Sequence, residues 1–467
     1  MGESVSPLAA YRLAAGFTQE SLAEQLSIDR GTIGRWERGT QAPQPWQRPD
    51  LATSLRISLA ELDDILHRTK RQTGSRSATP TSNKAAPADV RRSQQEWLRV
   101  RNAPGVRGRE LTELAAWLYP ESQRAPGGHV LAGPGWLLEQ PVPLESVRLV
   151  WSDGQRPTRP LGSLEHVLPL TDRGELYAGY SRAVRDLVRP RLLENRLSYR
   201  LLDLQSDHGL ALSFGTTTFF EVFDVKQALA HEFKGAWLAS NRSVPDWSAL
   251  PLRAAIGDPF DPQRLLMSPG ISTLTIRRDR SDGQHRFVLH ERDGGKVADG
   301  GGLCHVMPAG EFQPSSVDLA DVRNDFSLWR NIMREFSEEF LGNPEHDGST
   351  SRPIDYANEE PFRSFDRARA EGGLRLWHYG LAMEPLELGA VQMTLAVVDD
   401  VVFDRLFADL VDTNDEGRVI GRGGRTDMPF TAEAIDRLGP RLSASALTLL
   451  RLGWRDREQL LDDRTTR

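Results

Sequence analysis

The segment at residues 18–38, TQESLAEQLSIDRGTIGRWER, constrains the fold of this 467-residue chain more than any other feature. Leu22 and Leu26 predict one amphipathic helix, and Ile33 and Trp36 predict a second helix shortly after it. The few residues between the two apolar stripes leave room only for a tight turn. The segment therefore predicts two short helices that pack against each other through small apolar faces.

Both predicted helices begin with residues that suit helix starts. Thr18 is expected to cap the first helix, with Ser21 at the third helical position. Asp29 is expected to cap the second helix, which would begin at Arg30. Two short helices joined by a tight turn, with polar residues at the start of the second, form the geometry that lays a helix in the major groove of DNA.

Polar residues of this segment are candidates for contacts with double-stranded DNA. Arg30 is expected to read guanine edges, and Thr32 is expected to contact a base or a phosphate. Phosphate contacts from Gln19 and Arg35 would set the register of the domain on the duplex. The predicted DNA-contacting residues are Thr18, Gln19, Arg30, Gly31, Thr32, Arg35 and Arg38.

The motif TQESLAEQLSIDRGTIGRWERGTQAP resembles the XRE family of helix-turn-helix domains, the Cro and phage-repressor type. LATSLRISLAELDDIL looks like the fourth and fifth helices of that family, so the resemblance covers about residues 6–66. Ser27 departs from the pattern, since the family usually has glycine in the turn. The resemblance implies a homodimer on an inverted-repeat operator. The alternative is an all-helical protein–protein adaptor, because residues 1–70 carry eight basic and nine acidic side chains.

Charge is spread unevenly along the chain, whose formal net charge is -7. Residues 71–110 carry nine basic and three acidic side chains. Such a stretch beside a DNA-binding domain adds salt-sensitive phosphate contacts, or else it is simply a solvated connection. Residues 69–92 are rich in Ser, Thr, Ala, Pro and Arg without apolar periodicity, which predicts a flexible basic linker.

The remaining chain predicts a multidomain protein with an all-α first domain and an α/β (α+β) body. Runs such as LALSFGTTTFFEVF and MTLAVVDDVVF are typical of strands, and LWRNIMREFSEEFLG between them is typical of a helix. The predicted parts are a helix-turn-helix domain at residues 1–68, the linker at 69–92, a helical or mixed middle region of unknown role at 93–210, an α/β domain at 211–430 and a helical segment at 431–467.

The segment REFSEEFLG carries the second candidate site. At about 100° per residue, Glu335, Glu338 and Glu339 fall on one face of a helix. Clustered carboxylates suit Mg²⁺, which binds through a few carboxylates and the phosphates of a substrate. The alternative from spacing alone is a solvated acidic face of an amphipathic helix.

REFSEE also resembles the second half of the Nudix box, and HVMPAGEFQP resembles the loop that enters it. The resemblance implies a Nudix-like sandwich in which Glu338 and Glu339 bind a divalent metal and Glu335 supports them, or is catalytic if the domain is active. It also implies that Arg334 orients the cluster. The first half of the box does not match, and only an insertion that uses Gly310 and Glu311 as the entrance restores part of it.

These features favour a cytoplasmic, nucleoid-associated transcriptional regulator. Its Nudix-like body is expected to dimerise and to sense a nucleotide-type metabolite, with Mg²⁺ as the one candidate cofactor. The alternative is a Mg²⁺-dependent Nudix pyrophosphohydrolase with an accessory helix-turn-helix domain. The single cysteine, Cys304, excludes an intrachain disulfide, and no stretch has the length and apolarity of a membrane-spanning helix.

Overall fold

The computed structural model divides into two compact units, Met1–Lys84 and Ala85–Arg467. The residues that the structure describes are 6–15, 17–26, 30–38, 42–44, 47–55, 57–58, 61–62, 65–66, 87–103, 109–152, 164–190, 193–281, 283–292, 303–345, 352–408, 410, 417–420 and 428–462. The chain thus combines an N-terminal helical domain with a larger mixed α/β body.

The N-terminal unit is helical throughout its described residues. Its helices are α1 (Pro7–Ala14), α2 (Gln19–Gln25), α3 (Arg30–Glu37) and α4 (Gln47–Leu55), with further helical residues at 61–62 and 65–66. They enclose one apolar core formed mainly by Leu8, Leu22, Ala23, Ile33, Trp36, Leu51, Ala52, Leu55, Leu62 and Ile65. The inward orientation predicted for Ile33 and Trp36 is confirmed, since both side chains are buried.

The body is built on a mixed seven-stranded sheet with the order β1-β10-β11-β5-β6-β13, in which β9 also pairs with β5. The two central strands, β11 and β5, run parallel, and the other pairs in this sheet are antiparallel. Its strands are β1 (Leu137–Pro143), β5 (Gly270–Arg278), β6 (Arg286–Phe287), β9 (Ala309–Gly310), β10 (Leu374–Glu384), β11 (Gly389–Asp399) and β13 (Met428–Pro429).

Two three-stranded sheets complete the body, with the orders β2-β4-β3 and β12-β7-β8. In the first sheet β4 pairs parallel with β2 and antiparallel with β3. The strands are β2 (Arg148–Trp151), β3 (Leu197–Gln205), β4 (Ala211–Thr218), β7 (Leu289–Arg292), β8 (Cys304–Val306) and β12 (Gly417–Ile420).

The body helices surround these sheets. They are α5 (Pro87–Asn102), α6 (Glu110–Ala116), α7 (Tyr180–Ala183), α8 (Phe219–Ala239), α9 (Pro251–Ile256), α10 (Leu319–Asn324), α11 (Leu328–Glu335), α12 (Phe362–Ala370), α13 (Asp400–Leu406), α14 (Ala432–Leu438), α15 (Ala444–Arg455) and α16 (Arg457–Leu461). No helix among the described residues is long and apolar enough to cross a membrane.

The structure gathers into one unit the three segments that the sequence separates after residue 92. Strand β1 comes from the predicted middle region, yet it pairs with β10 of the predicted α/β domain. Helix α15 of the predicted tail contacts β11 and β5 at the centre of the same sheet. Helix α5 also begins inside the predicted linker, of which residues 69–86 lie outside the described part of the chain. Pairing between strands that are distant in sequence explains the difference.

Two predicted strand runs end in helices instead. The run LALSFGTTTFFEVF is strand only to Thr218, and α8 begins at Phe219. The Glu221 carboxylate accepts hydrogen bonds from the backbone N–H of Thr218 and the hydroxyl of Thr217, which anchors the helix start. In MTLAVVDDVVF the strand ends at Asp399, where α13 follows directly.

Candidate nucleic-acid interface

Helix α2 begins with a reciprocal pair of hydrogen bonds. The backbone N–H of Ser21 donates to Thr18 Oγ1 at 3.0 Å, and the backbone N–H of Thr18 donates to Ser21 Oγ at 2.8 Å. A serine hydroxyl therefore fills the role that glutamate or glutamine usually has in a capping box. The prediction that Thr18 caps this helix is confirmed, and the cap fixes where Gln19 lies.

A buried ion pair joins the two ends of the helix-turn-helix segment. Arg12 Nε lies 2.5 Å from Glu37 Oε1, and only 9% and 8% of the two side chains are exposed. Arg12 also donates to the carbonyl oxygen of Phe17 at 2.7 Å, and Gln19 Nε2 donates to Glu37 Oε2 at 2.5 Å. Glu37 thus holds α1, α2 and α3 in one arrangement, because it is bonded to a side chain from each of the first two helices.

Sequence reasoning missed Arg12 and Glu37, and it assigned Gln19 only to a phosphate. The Gln19 amide has two hydrogens, so one can bond Glu37 while the other is directed elsewhere. Its bond to Glu37 orients the side chain. The signal that could have found this network is a charged pair flanking Trp36 and Phe17, positions where the apolar pattern predicts burial.

The outer face of α3 carries the predicted side chains that the structure describes. Arg35 Nη2 donates to Thr32 Oγ1 at 2.6 Å, so these two residues, one helical turn apart, are joined on one face. Arg35 and Arg38 are exposed, whereas Ile33 and Trp36 are buried beneath them. This arrangement presents guanidinium groups and a hydroxyl on the side of α3 opposite the core.

Arg30 and Gly31 are the first two residues of α3, at the end that enters the groove in helix-turn-helix domains. The Arg30 side chain lies outside the described part of the structure, as do the turn residues Ser27, Ile28 and Asp29. The base-reading role of Arg30 therefore stays a prediction that rests on its position in the helix.

The three glutamates of the second candidate site do not follow a regular helix. Helix α11 ends at Glu335, and the chain continues as a π-helix over Phe336–Phe340. A π-helix has more residues per turn than an α-helix, so the spacing that predicted a single acidic face no longer applies. Glu339 is buried, and its Oε2 accepts a hydrogen bond from the backbone N–H of Ala309 at 3.3 Å.

Glu335 contacts the same short strand as Glu339. A Cβ atom on Gly310 would overlap the Glu335 carboxylate, so glycine permits this close approach. The structure therefore brings Glu335 and Glu339 to β9, which contains the predicted entrance residue Gly310, while Glu338 is half-buried.

Arg334 is buried beside this cluster but does not orient it directly. Its guanidinium donates to the carbonyl oxygen of Gln313 and, at 3.1 Å, to Asn331 Oδ1. Among the residues that the structure describes, no three acidic, histidine or cysteine side chains are arranged to hold a metal ion. The metal-binding role of Glu335, Glu338 and Glu339 stays a prediction.

Comparison with known families gives one match. Residues 8–45 match the Helix-turn-helix family model, a range that contains α1, α2, α3 and every predicted DNA-contacting residue. No curated protein matches the chain. The N-terminal unit is therefore a DNA-binding helix-turn-helix domain of the XRE type, joined in one chain to a mixed α/β body.

Proposed function

We propose that the protein is a sequence-specific transcriptional regulator that binds DNA through α3. The observation that carries this proposal is the Helix-turn-helix match over residues 8–45, combined with Thr32 and the exposed Arg35 and Arg38 on one helix whose opposite face is buried. Arg30 would read guanine, while Gln19, held by Glu37, would donate to a phosphate. Thr18 and Gly31 would bring backbone N–H groups toward the phosphates.

The regulator is proposed to act as a homodimer. One domain with nearly balanced charge makes few phosphate contacts, so useful affinity needs a second copy or help from the basic stretch that follows it. Two copies related by a two-fold axis would bind the two halves of an inverted repeat. The body is proposed to dimerise and to respond to a small molecule, which changes the joint affinity of the two readers.

Selection of binding sites from a random DNA pool tests the proposal, followed by titration of the best site. We expect a shared inverted repeat, and we expect Arg30→Ala to cost about 1–3 kcal/mol of discrimination at one base pair in each half. Arg173→Ala removes an exposed arginine of the body and is the matched control. A wild-type protein that enriches no shared sequence would refute sequence-specific binding.

A second candidate function is hydrolysis of a nucleoside diphosphate derivative with Mg²⁺. It is favoured by the contact of Glu335 and Glu339 with Ala309 and Gly310, the strand that resembles the entrance to a Nudix box. In a Nudix-like site these carboxylates and Glu338 would hold the metal against the diphosphate.

The hydrolase test uses a panel of nucleoside diphosphate derivatives with Mg²⁺. Turnover that disappears in Glu338→Gln and Glu339→Gln would favour the enzyme. Absence of turnover in the wild type, together with thermal stabilisation by one of the same compounds, would favour a sensor.

A further inference from the structure

The body contains a cleft of about 550 Å³ between α5, α8 and the segment at residues 164–169. This volume falls within the range of about 300–1,000 Å³ that is usual for small-molecule sites. None of its lining residues belongs to the glutamate segment of the predicted Nudix-like site. The cleft is therefore a separate candidate for a ligand site.

One wall of the cleft is a rigid aromatic surface. Trp97 is almost fully buried, and its Nε1 donates to the carbonyl oxygen of Val167 at 3.1 Å. Its indole stacks on His231, with 5.8 Å between ring centroids and 20° between ring planes. Burial lowers the pKa of His231 to about 3, so this ring stays neutral. The wall accordingly offers a flat surface without charge.

The facing wall is formed by small residues of α8. Gly235, Ala236 and Ala239 line the cleft, and a Cβ atom on Gly235 would reach only ordinary contact distance, 3.6 Å, from Val100. Small side chains opposite an indole leave a slot whose width suits a planar group rather than a bulky one. The shape thus favours a flat ring.

The polar group of the cleft is a histidine fixed by a buried glutamate. The Glu232 side chain is 1% exposed, and its carboxylate accepts backbone N–H bonds from Leu252 at 2.7 Å and from Arg253 at 3.1 Å. His166, which is 43% exposed and lines the cleft, places Nε2 at 3.0 Å from Glu232 Oε1. An ionised carboxylate only accepts, so Nε2 carries the hydrogen and Nδ1 of the neutral ring is an acceptor.

The charges around the cleft disfavour an anion. Glu96 and Arg99 lie on its lining and neutralise each other through two bonds, at 2.6 and 2.8 Å. Glu232 then leaves one negative charge beside a neutral His166. A ligand that donates a hydrogen bond, whether neutral or cationic, satisfies His166 Nδ1 without facing a like charge.

We infer that this cleft binds a small planar ring compound, neutral or cationic, that stacks beside Trp97 and donates a hydrogen bond to His166 Nδ1. The inference deepens the sensing part of the proposed function and rests on it for its biological role. Binding itself is a property of the body and is measured without DNA.

Calorimetric titration of the full-length protein with 2-aminobenzimidazole, a flat cationic donor, tests the inference, with benzoate as the flat anionic comparison. We expect one 2-aminobenzimidazole site per chain and at least about 10-fold weaker binding of benzoate. Ala236→Phe should fill the slot and weaken binding by at least about 10-fold, whereas His166→Ala should weaken it by about 2- to 10-fold. Ala254→Phe, on an exposed position of α9 outside the cleft, is the control and should leave binding unchanged.

Ala239→Phe, at an exposed position of the cleft lining, replaces Ala236→Phe if that variant fails to fold. The inference is overturned if the wild type does not bind 2-aminobenzimidazole, if the filling variants bind it as the wild type does, or if benzoate binds more tightly. Operator affinity of each variant is measured in parallel. Loss of probe binding with normal operator binding concerns the cleft alone, whereas a wild type without any operator refutes the proposed function alone.

Discussion

Single residues decide whether the reading domain keeps its shape, and the pair Arg12–Glu37 is the clearest case. Both charges are buried, and Glu37 also bonds the Gln19 amide. Removing one partner of a buried pair costs more than the pair contributes, because the other charge is left without compensation. The pair therefore matters more to DNA binding than its distance from the exposed face of α3 suggests.

We expect Arg12→Met to destabilise the N-terminal domain by about 3–5 kcal/mol, since it leaves the Glu37 carboxylate buried without its cation. Hydrogen exchange of peptides from residues 7–37 in the full-length protein measures the loss locally. Arg38→Met, at an exposed position, is the matched control and should change exchange little. Unaltered protection in Arg12→Met would show that the ion pair does not hold the helices together.

A second residue-scale prediction concerns pH. His378 is fully buried in β10, and burial lowers its pKa from 6.5 to about 4. Between these two values the unfolded chain binds a proton that the folded chain does not, so stability is complete above pH 6.5 and is lost as the pH falls toward 4. The loss from this group is at most about 1.4 kcal/mol per pH unit.

His378→Asn keeps an acceptor for the backbone N–H of Gly380 but removes the titrating group. Its free energy of unfolding should therefore depend less on pH between 6.5 and 4 than that of the wild type, although it is lower at pH 7. Urea unfolding at a series of pH values measures both slopes. His208→Asn, at an exposed position, should retain the wild-type slope. Equal slopes in all three proteins would contradict the assignment.

At the scale of elements, the long strand β10 depends on one glycine. Its register with β11 shifts between His378 and Leu381, and Gly380 there has a φ of +93°. The carbonyl oxygen of Trp136 accepts the N–H of Leu381 at 2.6 Å, and a Cβ atom on Gly380 would overlap that oxygen. Only glycine allows both the left-handed backbone and the close approach of β1.

We expect Gly380→Ala to destabilise the body by more than Gly372→Ala. Gly372 has a φ of +76°, but a Cβ atom added there would have no heavy atom within 4 Å, so alanine meets only the backbone strain, about 1–2 kcal/mol. The overlap at Gly380 should add about 1–3 kcal/mol. Urea unfolding followed by tryptophan fluorescence compares the two variants, and equal midpoints would mean that the strand pair relaxes around the added methyl group.

At the scale of the whole molecule, the basic stretch at residues 71–110 is not uniform. Arg99 pairs with Glu96, Arg101 donates to Gln227, and Arg109 donates to Glu113 within the body. These cations have protein partners, so they contribute less to phosphate binding than the charge count alone indicates.

Arg71, Arg76 and Lys84 precede the first body helix and are the better candidates for phosphate contacts. Changing all three to glutamine should weaken binding to every DNA sequence alike, and each lost contact should lower the slope of log affinity against log salt by about 0.9. Changing Arg99, Arg173 and Arg196 instead is the control of equal charge. An unaltered slope in the first variant would make the stretch only a connection.

Local patterns by themselves determined the N-terminal domain. The apolar stripes at Leu22 and at Ile33 and Trp36, with the Thr18 cap, predicted α2 and α3, because helix spacing and capping act over a few neighbouring residues. The same local rules predicted β5 and the C-terminal helices.

Only the tertiary structure decided which distant segments share a core. The pairing of β1 with β10, the bond of Glu37 to Arg12, the π-helix at Phe336–Phe340 and the cleft around His166 each depend on groups brought together across the fold. Burial, strand pairing and side-chain hydrogen bonding are set by neighbours in space, and periodicity along a chain records only neighbours in sequence.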